Sequence, residues 1–240
     1  MTSLNLLNEG MQELGVPMTS SQEEAFQTYY NELCSWNERI NLTSIIDYFE
    51  VQVKHFLDSL TLLLAFDAKE IEDAKVIDVG TGAGFPGLPL KIMFPSLDIS
   101  LIDSIGKKTG FLNHLLSRLN LSGVKVFTDR AEQLAHDPNM RERFDFVLAR
   151  AVARMPVLLE YTLPFCAVGG KVVAWKHGGI EEELSESVNA SRLLGGSEHT
   201  VCDVNLTSLQ DNRILVIVEK TSLSPVRYPR KAGLAKKSPI

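Results

Sequence analysis

The chain holds 240 residues, 45% of them apolar, enough to bury one substantial core with a small accessory segment beside it. No apolar run reaches the roughly eighteen residues of a membrane helix, and no basic stretch precedes an apolar leader, so a soluble cytoplasmic protein is expected. Cys34, Cys166 and Cys202 are too few and too widely spaced for a disulfide framework or a zinc cluster, and the net charge of −6 speaks against a nucleic-acid partner only as a sum, because it is unevenly spread.

Residues 1–70 show helical periodicity without a strand and carry eleven acids against three bases, as an acidic helical cap would. Ser21 and Glu24 have the spacing of a capping box, and Phe26, Tyr29, Tyr30, Leu33 and Trp36 then recur along one face, which predicts core. INLTSII interrupts this pattern before a second helical stretch with His55, Phe56, Leu60 and Leu63, where His55 reads as a satisfied core or boundary histidine. From Lys75 onward short apolar runs alternate with helical patterns, the signature of βαβ units. Strands are predicted at 76–79, 99–103, 124–128, 144–149 and 171–175, and a helix at 181–194. VCDVNL and ILVIVEK follow too closely for a helix between them and predict a closing antiparallel pair. The expected fold is therefore α/β: a doubly wound, Rossmann-like, mostly parallel seven-stranded sheet with an antiparallel final pair and an N-terminal helical extension. The predicted units are a cap over 1–70, the main domain over 71–220 and a basic tail over 221–240. That tail holds Arg227, Arg230, Lys231, Lys236 and Lys237 and no acid, and it reads either as a frayed terminus or as a phosphate-contacting arm.

VIDVGTGAGFPG runs a buried strand straight into glycines and then a helix, a geometry that lets backbone N–H groups approach a ligand. Gly82, Gly84 and Gly87 formally satisfy GxGxxG, and Asp103 at the end of the second strand suits a ribose-binding acid, so a nicotinamide dinucleotide fits the pattern. Asp78 favours S-adenosylmethionine instead. A carboxylate at the strand tip, beside Gly80 and Gly82, would hold a cationic amino-acid end and repel a pyrophosphate; the alternative is that Asp78 caps the loop through its backbone N–H groups. Two further corners lie over the same crevice. TDRAEQL offers Ala131 and Glu132 as adenine-side residues, with Asp129 and Arg130 as possible helix-start residues, and LARAVARMP puts Arg150 at the crevice mouth, which suggests a polyanionic substrate.

WNERINLTSI, KHFLDSL, DVGTGAGFPGLPLKI, LIDSIGKKTGFL, DRAE, FDFVLARAVA and YPRKAGLAKKSPI follow one another along nearly the whole chain. In that order they resemble the bacterial family called glucose-inhibited division protein B, the guanine-N7 methyltransferases G of 16S ribosomal RNA. The resemblance implies a class I methyltransferase using S-adenosyl-L-methionine, with Gly80 and Phe85 lining the cofactor, Asp103 and Ser104 near its ribose, Ala131 and Glu132 on the adenine side, and Arg150 completing the set. It also implies basic residues for RNA or catalysis at Lys107, Arg130, Arg150, Lys176 and Arg213. The implied partner is 16S rRNA, within the small ribosomal subunit or an assembly intermediate, with neither membrane nor metal involved. The residues agree with such an acceptor. There is no NPPY-like corner for exocyclic amines, Cys166 and Cys202 sit in apolar contexts unsuited to nucleophiles, and guanine N7 is an exposed lone pair that needs no general base. The rival readings are a nicotinamide-dependent oxidoreductase and a degenerate fold that serves rRNA assembly without catalysis.

Overall fold

The computed structural model describes residues 4–240. Runs of β-branched and aromatic residues make seven strands: β1 (Lys75–Val79), β2 (Asp98–Asp103), β3 (Val124–Thr128), β4 (Phe144–Arg150), β5 (Cys166–His177), β6 (Thr200–Asp203) and β7 (Arg213–Glu219). They form one sheet in the order β3-β2-β1-β4-β5-β7-β6. The first five strands in that order pair in parallel, while β7 runs antiparallel to both β5 and β6. Strand order reverses between β1 and β4, and this switch point opens a crevice at the carboxyl ends of the central strands. β5 begins earlier than the predicted 171–175, with Gly169 and Gly170 inside the strand; a Cβ on Gly170 would come within 2.8 Å of Asp145 O.

Both faces of the sheet are covered, and the strands alternate between two cores. Val76, Leu101, Leu148 and Trp175 belong to one, and Ile77, Ile102, Val147 and Ala174 to the other. The first core includes α1 (Asn5–Glu13), α2 (Ser20–Asn37), α3 (Tyr48–Val51), a π-helical turn at Gln52–Leu57, and α4 (Asp58–Leu60), followed by α5 (Ala68–Glu72), α6 (Gly87–Met93) and α7 (Gly106–Arg118). Leu7, Met11, Phe26, Leu33, Phe56 and Leu60 are fully buried there, so the N-terminal helices form a layer of the domain. α2 starts earlier than the spacing of Ser21 and Glu24 suggested. Thr19 is the N-cap and Gln22 completes the box, and Gln22 also donates through Nε2 to Met93 O at 3.0 Å, a tertiary bond that selects this register over the other.

The second core includes α8 (Ala131–Leu134), α9 (Met155–Thr162), α10 (Glu181–Leu193) and the short α11 (Leu234–Lys237). The basic terminal stretch adds no further layer but docks here. Tyr228 is 5% and Ala235 2% exposed. The Arg141 guanidinium donates to the carbonyls of Ser224 (2.9 Å) and Tyr228 (2.8 Å), and His136 Nε2 lies 2.8 Å from Pro229 O. Arg230 pairs with the fully buried carboxylate of Glu160 at 2.6 Å and donates its backbone N–H to the same group at 2.8 Å. One of the five positive charges is thereby neutralised inside the fold, and the others are carried on an anchored segment.

Breaking a buried pair from one side leaves the other charge without a partner. Arg230→Ala is expected to lower unfolding free energy in urea by about 3 kcal/mol; a change within about 0.5 kcal/mol would mean the pair acts as an ordinary surface contact.

Candidate active site

β1 ends at Val79 and the chain turns through Gly80 in the left-handed region at φ 75°. A side chain there would be strained, and its Cβ would fall 2.8 Å from Val152 Cγ2, on the loop that leaves β4. Gly84, at φ 104°, is equally constrained: a Cβ would meet Tyr29 Oη at 2.6 Å and Leu88 Cδ1 at 2.7 Å. Tyr29 approaches this closely because its hydroxyl donates to Ala83 O at 2.6 Å. The aromatic stripe of α2 is core, as its periodicity predicts, and one of its members also holds the glycine loop.

Six of the loop's N–H groups are engaged within the protein. Those of Gly80 and Thr81 both donate to Ile102 O, that of Gly82 to Asp103 Oδ2 at 3.0 Å, those of Gly84 and Phe85 to Thr81 O, and that of Gly87 to Asp78 Oδ2 at 2.9 Å. These six donors do not form the open cradle that a pyrophosphate requires. The glycine spacing that fits a dinucleotide is therefore used for a tight turn and close packing.

Asp78 is fully buried. Its Oδ2 accepts from Thr81 Oγ1 at 2.7 Å and from Gly87 N–H, while its Oδ1 is buried with no hydrogen-bond partner among the described residues. Burial pushes its pKa up to about 6, against the pull of those two bonds and of the Arg150 charge. Asp103, at the end of β2, is held by two backbone donors, Gly82 N–H on Oδ2 and Ile105 N–H on Oδ1 at 2.8 Å.

Gly80, Asp103, Ser104, Ala131 and Glu132 line a single cleft over the carboxyl ends of β1, β2 and β3. Asp129 and Arg130 share its wall, as do Val152, Tyr161 and Lys236, which the sequence did not single out for this place. Asp78, Gly82 and Phe85 lie around the loop and do not line this cleft. Asp103, Asp129 and Glu132 line the cleft together with Arg130, which neutralises Glu132, and Lys236, so Asp103 and Asp129 remain as acceptors suited to a phosphate-free ligand with hydroxyls to donate.

Phe85, Arg150 and Arg213 form a second cluster. Phe85 is stacked against Tyr29 (centroids 5.2 Å apart, planes at 7°) and against His55 (4.6 Å, 23°), and the Arg150 guanidinium lies 5.1 Å from the Phe85 centroid. Arg150 faces inward, pairing with Asp58 Oδ2 at 2.6 Å and donating to Lys54 O at 3.1 Å. Arg213 pairs with the same Asp58 oxygen at 2.7 Å and with Asp211 at 2.8 Å. The deeply buried Asp58, on the first turn of α4, thus joins two guanidiniums from β4 and β7. KHFLDSL contains it, but no local pattern in that stretch distinguishes it from a surface acid. Lys176 is likewise engaged, with Glu183 Oε1 at 2.6 Å and Ala153 O at 2.8 Å. Arg130, 46% exposed, pairs with Glu132 at 3.1 Å. Lys107 is exposed in a separate groove shared with Arg39, Asn41 and Lys108.

His55 is the buried histidine the sequence suggested, with Thr43 Oγ1 2.8 Å from its Nε2. Burial first, then the Arg150 charge, pushes its pKa down to about 3, so the imidazole is neutral at physiological pH.

The folded-state pKa of Asp78 lies above its ordinary value of 3.8, so the fold favours the neutral carboxyl. The corresponding stability is present at acid pH and is lost as the pH rises through about 6. Asp78→Asn, which keeps an acceptor toward Thr81 and Gly87, is expected to remove a pH-dependent loss on the order of 2–3 kcal/mol. Urea unfolding of both proteins from pH 4 to pH 7 measures it, and parallel curves would refute it.

A family model described as GidB, rRNA small subunit methyltransferase G, matches residues 22–212. The protein named "Ribosomal RNA small subunit methyltransferase G" of Dehalococcoides mccartyi strain CBDB1 is 48% identical over 237 residues, 99% of this chain and 100% of that one. The protein of the same name from Exiguobacterium sibiricum is 46% identical over 228 residues, 95% of each chain. A crystal structure of a SAM-dependent O-methyltransferase from Thermotoga maritima, 11% identical, superposes with a TM-score of 0.53 over 82% of this chain and 72% of that one, and shares the fold. With a family match across most of its length and near-half identity to full-length relatives, this chain belongs to the GidB family of rRNA small subunit methyltransferases G.

Proposed function

We propose that this protein transfers a methyl group from S-adenosylmethionine to N7 of a guanine in 16S rRNA, presented within the small ribosomal subunit or an assembly intermediate. The observation that carries the cofactor reading is a cleft with Asp103 and Asp129 in its wall, beside a glycine loop six of whose N–H groups are already engaged. When bound, S-adenosylmethionine supplies an electrophilic methyl group on a sulfonium. Asp103, aimed by two backbone donors, is suited to accept the ribose hydroxyls, and Ala131 and Glu132 line the adenine side. Asp78 both caps the loop and offers negative charge beneath Gly80, so the two roles foreseen for it are compatible.

The acceptor follows from family membership together with the chemistry of the second cluster. Methyl transfer to a lone pair needs alignment and exclusion of water more than proton transfer. His55 is neutral but buried, with hydrogen-bond partners at both ring nitrogens, and no role as a base is assigned to it. Burial pushes the Cys166 thiol up to about 12 and raises that of Cys202, which argues against a cysteine nucleophile. Arg150, Arg213 and Asp58 together form a rigid wall with two positive charges on one buried carboxylate, and Arg150 keeps Phe85 in place. In this reading Arg150 and Arg213 set the electrostatics near the acceptor, Lys176 braces the loop after β4 through Ala153 O, and the exposed Lys107 and Arg130 contact phosphates. Because the acidic excess lies in the body of the chain outside the basic terminal stretch, a weak grip on free RNA is expected, which favours a ribosomal particle as substrate.

Incubation with S-adenosylmethionine and small subunits lacking the modification is expected to yield one N7-methylguanine in 16S rRNA by mass mapping; no methylation, or methylation at another atom, refutes the assignment. Turnover on naked 16S rRNA is expected to be much slower than on small subunits, and equal rates would remove the particle from the proposal. Lys107→Ala is expected to weaken RNA binding and to reduce the log–log salt slope by about one, as removal of one phosphate contact does. An unchanged slope would place Lys107 outside the interface.

A further inference from the structure

The end of the chain contributes to the cleft wall. Lys236 lines the cleft that contains Gly80, Asp103 and Glu132, and it also lines a neighbouring hollow of about 480 Å³ walled by Val152, Arg154 and Val157. The short helix that carries it is held in place from both sides. Gly233 donates its N–H to Glu132 Oε1 at 3.2 Å, Ala235 is buried in the second core, and Arg230 is tied to Glu160. The Lys236 ammonium itself has no hydrogen-bonding or ionic partner among the described residues, although Asp103, Asp129 and Glu132 share the cleft with it. An anchored segment thus presents an unpaired cation to a ligand cleft.

We propose that Lys236 is a cofactor-contacting residue that donates to the purine ring nitrogens of the adenine nucleoside. This rests on the cofactor reading above. The cationic end of that ligand would repel an ammonium, whereas the purine is uncharged and rich in acceptors. The bond from Gly233 to Glu132 puts this helix beside the residues that line the adenine side, and Val152 and Tyr161 supply apolar surface there for the lysine stem and the ring. The basic terminal segment then serves the cofactor as well as the fold, and its sequence character as a polyanion-binding arm does not describe this residue.

The experiment is isothermal titration of the full-length protein with S-adenosylhomocysteine, which requires no RNA and no turnover. Lys236→Met keeps the apolar stem and removes the charge, and it is expected to weaken binding about tenfold, as loss of one charge-assisted hydrogen bond does. Lys236→Arg is expected to retain most of the affinity, and Lys237→Met, on a residue that lines neither hollow, to bind as the unaltered protein does. Equal unfolding midpoints without ligand would show that the fold is preserved in all three. Binding by Lys236→Met within twofold of the unaltered protein overturns the proposal while leaving the cofactor reading intact. Failure of the unaltered protein to bind S-adenosylhomocysteine overturns both.

Discussion

One buried carboxylate oxygen sets the shape of the cleft. Asp78 Oδ2 receives the Thr81 hydroxyl and the Gly87 N–H, and so it ties the end of β1 to the start of α6 across the glycine turn. With that tie in place the loop N–H groups close on Ile102, Asp103 and Thr81, and the loop becomes a rigid wall instead of an anion cradle. The arrangement has a cost, because burial disfavours the charged form of Asp78 and leaves its second oxygen without a partner. Local strain of this kind concentrates at sites where a ligand completes the electrostatics.

The loop is also held from the opposite side. Tyr29 bonds to Ala83 O and stacks on Phe85, His55 stacks on Phe85, and Asp58 joins Arg150 to Arg213. All three of these supporting residues come from the helices that precede β1. The N-terminal helices are therefore part of the site's framework, and the tertiary fold brings residues 29, 55 and 58 to residues 85, 150 and 213. At the other edge the terminal segment packs on α8 and α9, so the cleft is walled by the C-terminal end of the chain together with the central sheet, while the N-terminal helices hold the glycine loop behind it.

Much of the fold was legible because parallel sheets covered on both faces produce nearly continuous apolar runs separated by helical patterns. The seven strands and their closing antiparallel pair follow from that rhythm, as does the expectation that Gly80, Asp103, Ala131 and Glu132 share one crevice, to which the family resemblance added Ser104. Residues at successive strand ends of a doubly wound sheet must converge, so their sequence positions determine their neighbourhood. The capping register of α2 and the early start of β5 were not legible in the same way. Gln22 chose its register through Met93, and Gly170 was absorbed into a strand by the approach of Asp145.

By itself the sequence determined the strands, the glycine turn and the family, because these depend on local pattern and on motifs that are contiguous in the chain. Only the tertiary structure decided how the charges are used. A lysine or arginine carries the same charge wherever it stands in the sequence, but its role depends on whether a carboxylate lies within a few ångströms. Arg150, Arg213, Lys176 and Arg230 find such partners and turn inward, while Lys236 finds none and faces the cleft. Apart from that of Lys176 with Glu183, those pairings join residues far apart in the chain, and no periodicity records them.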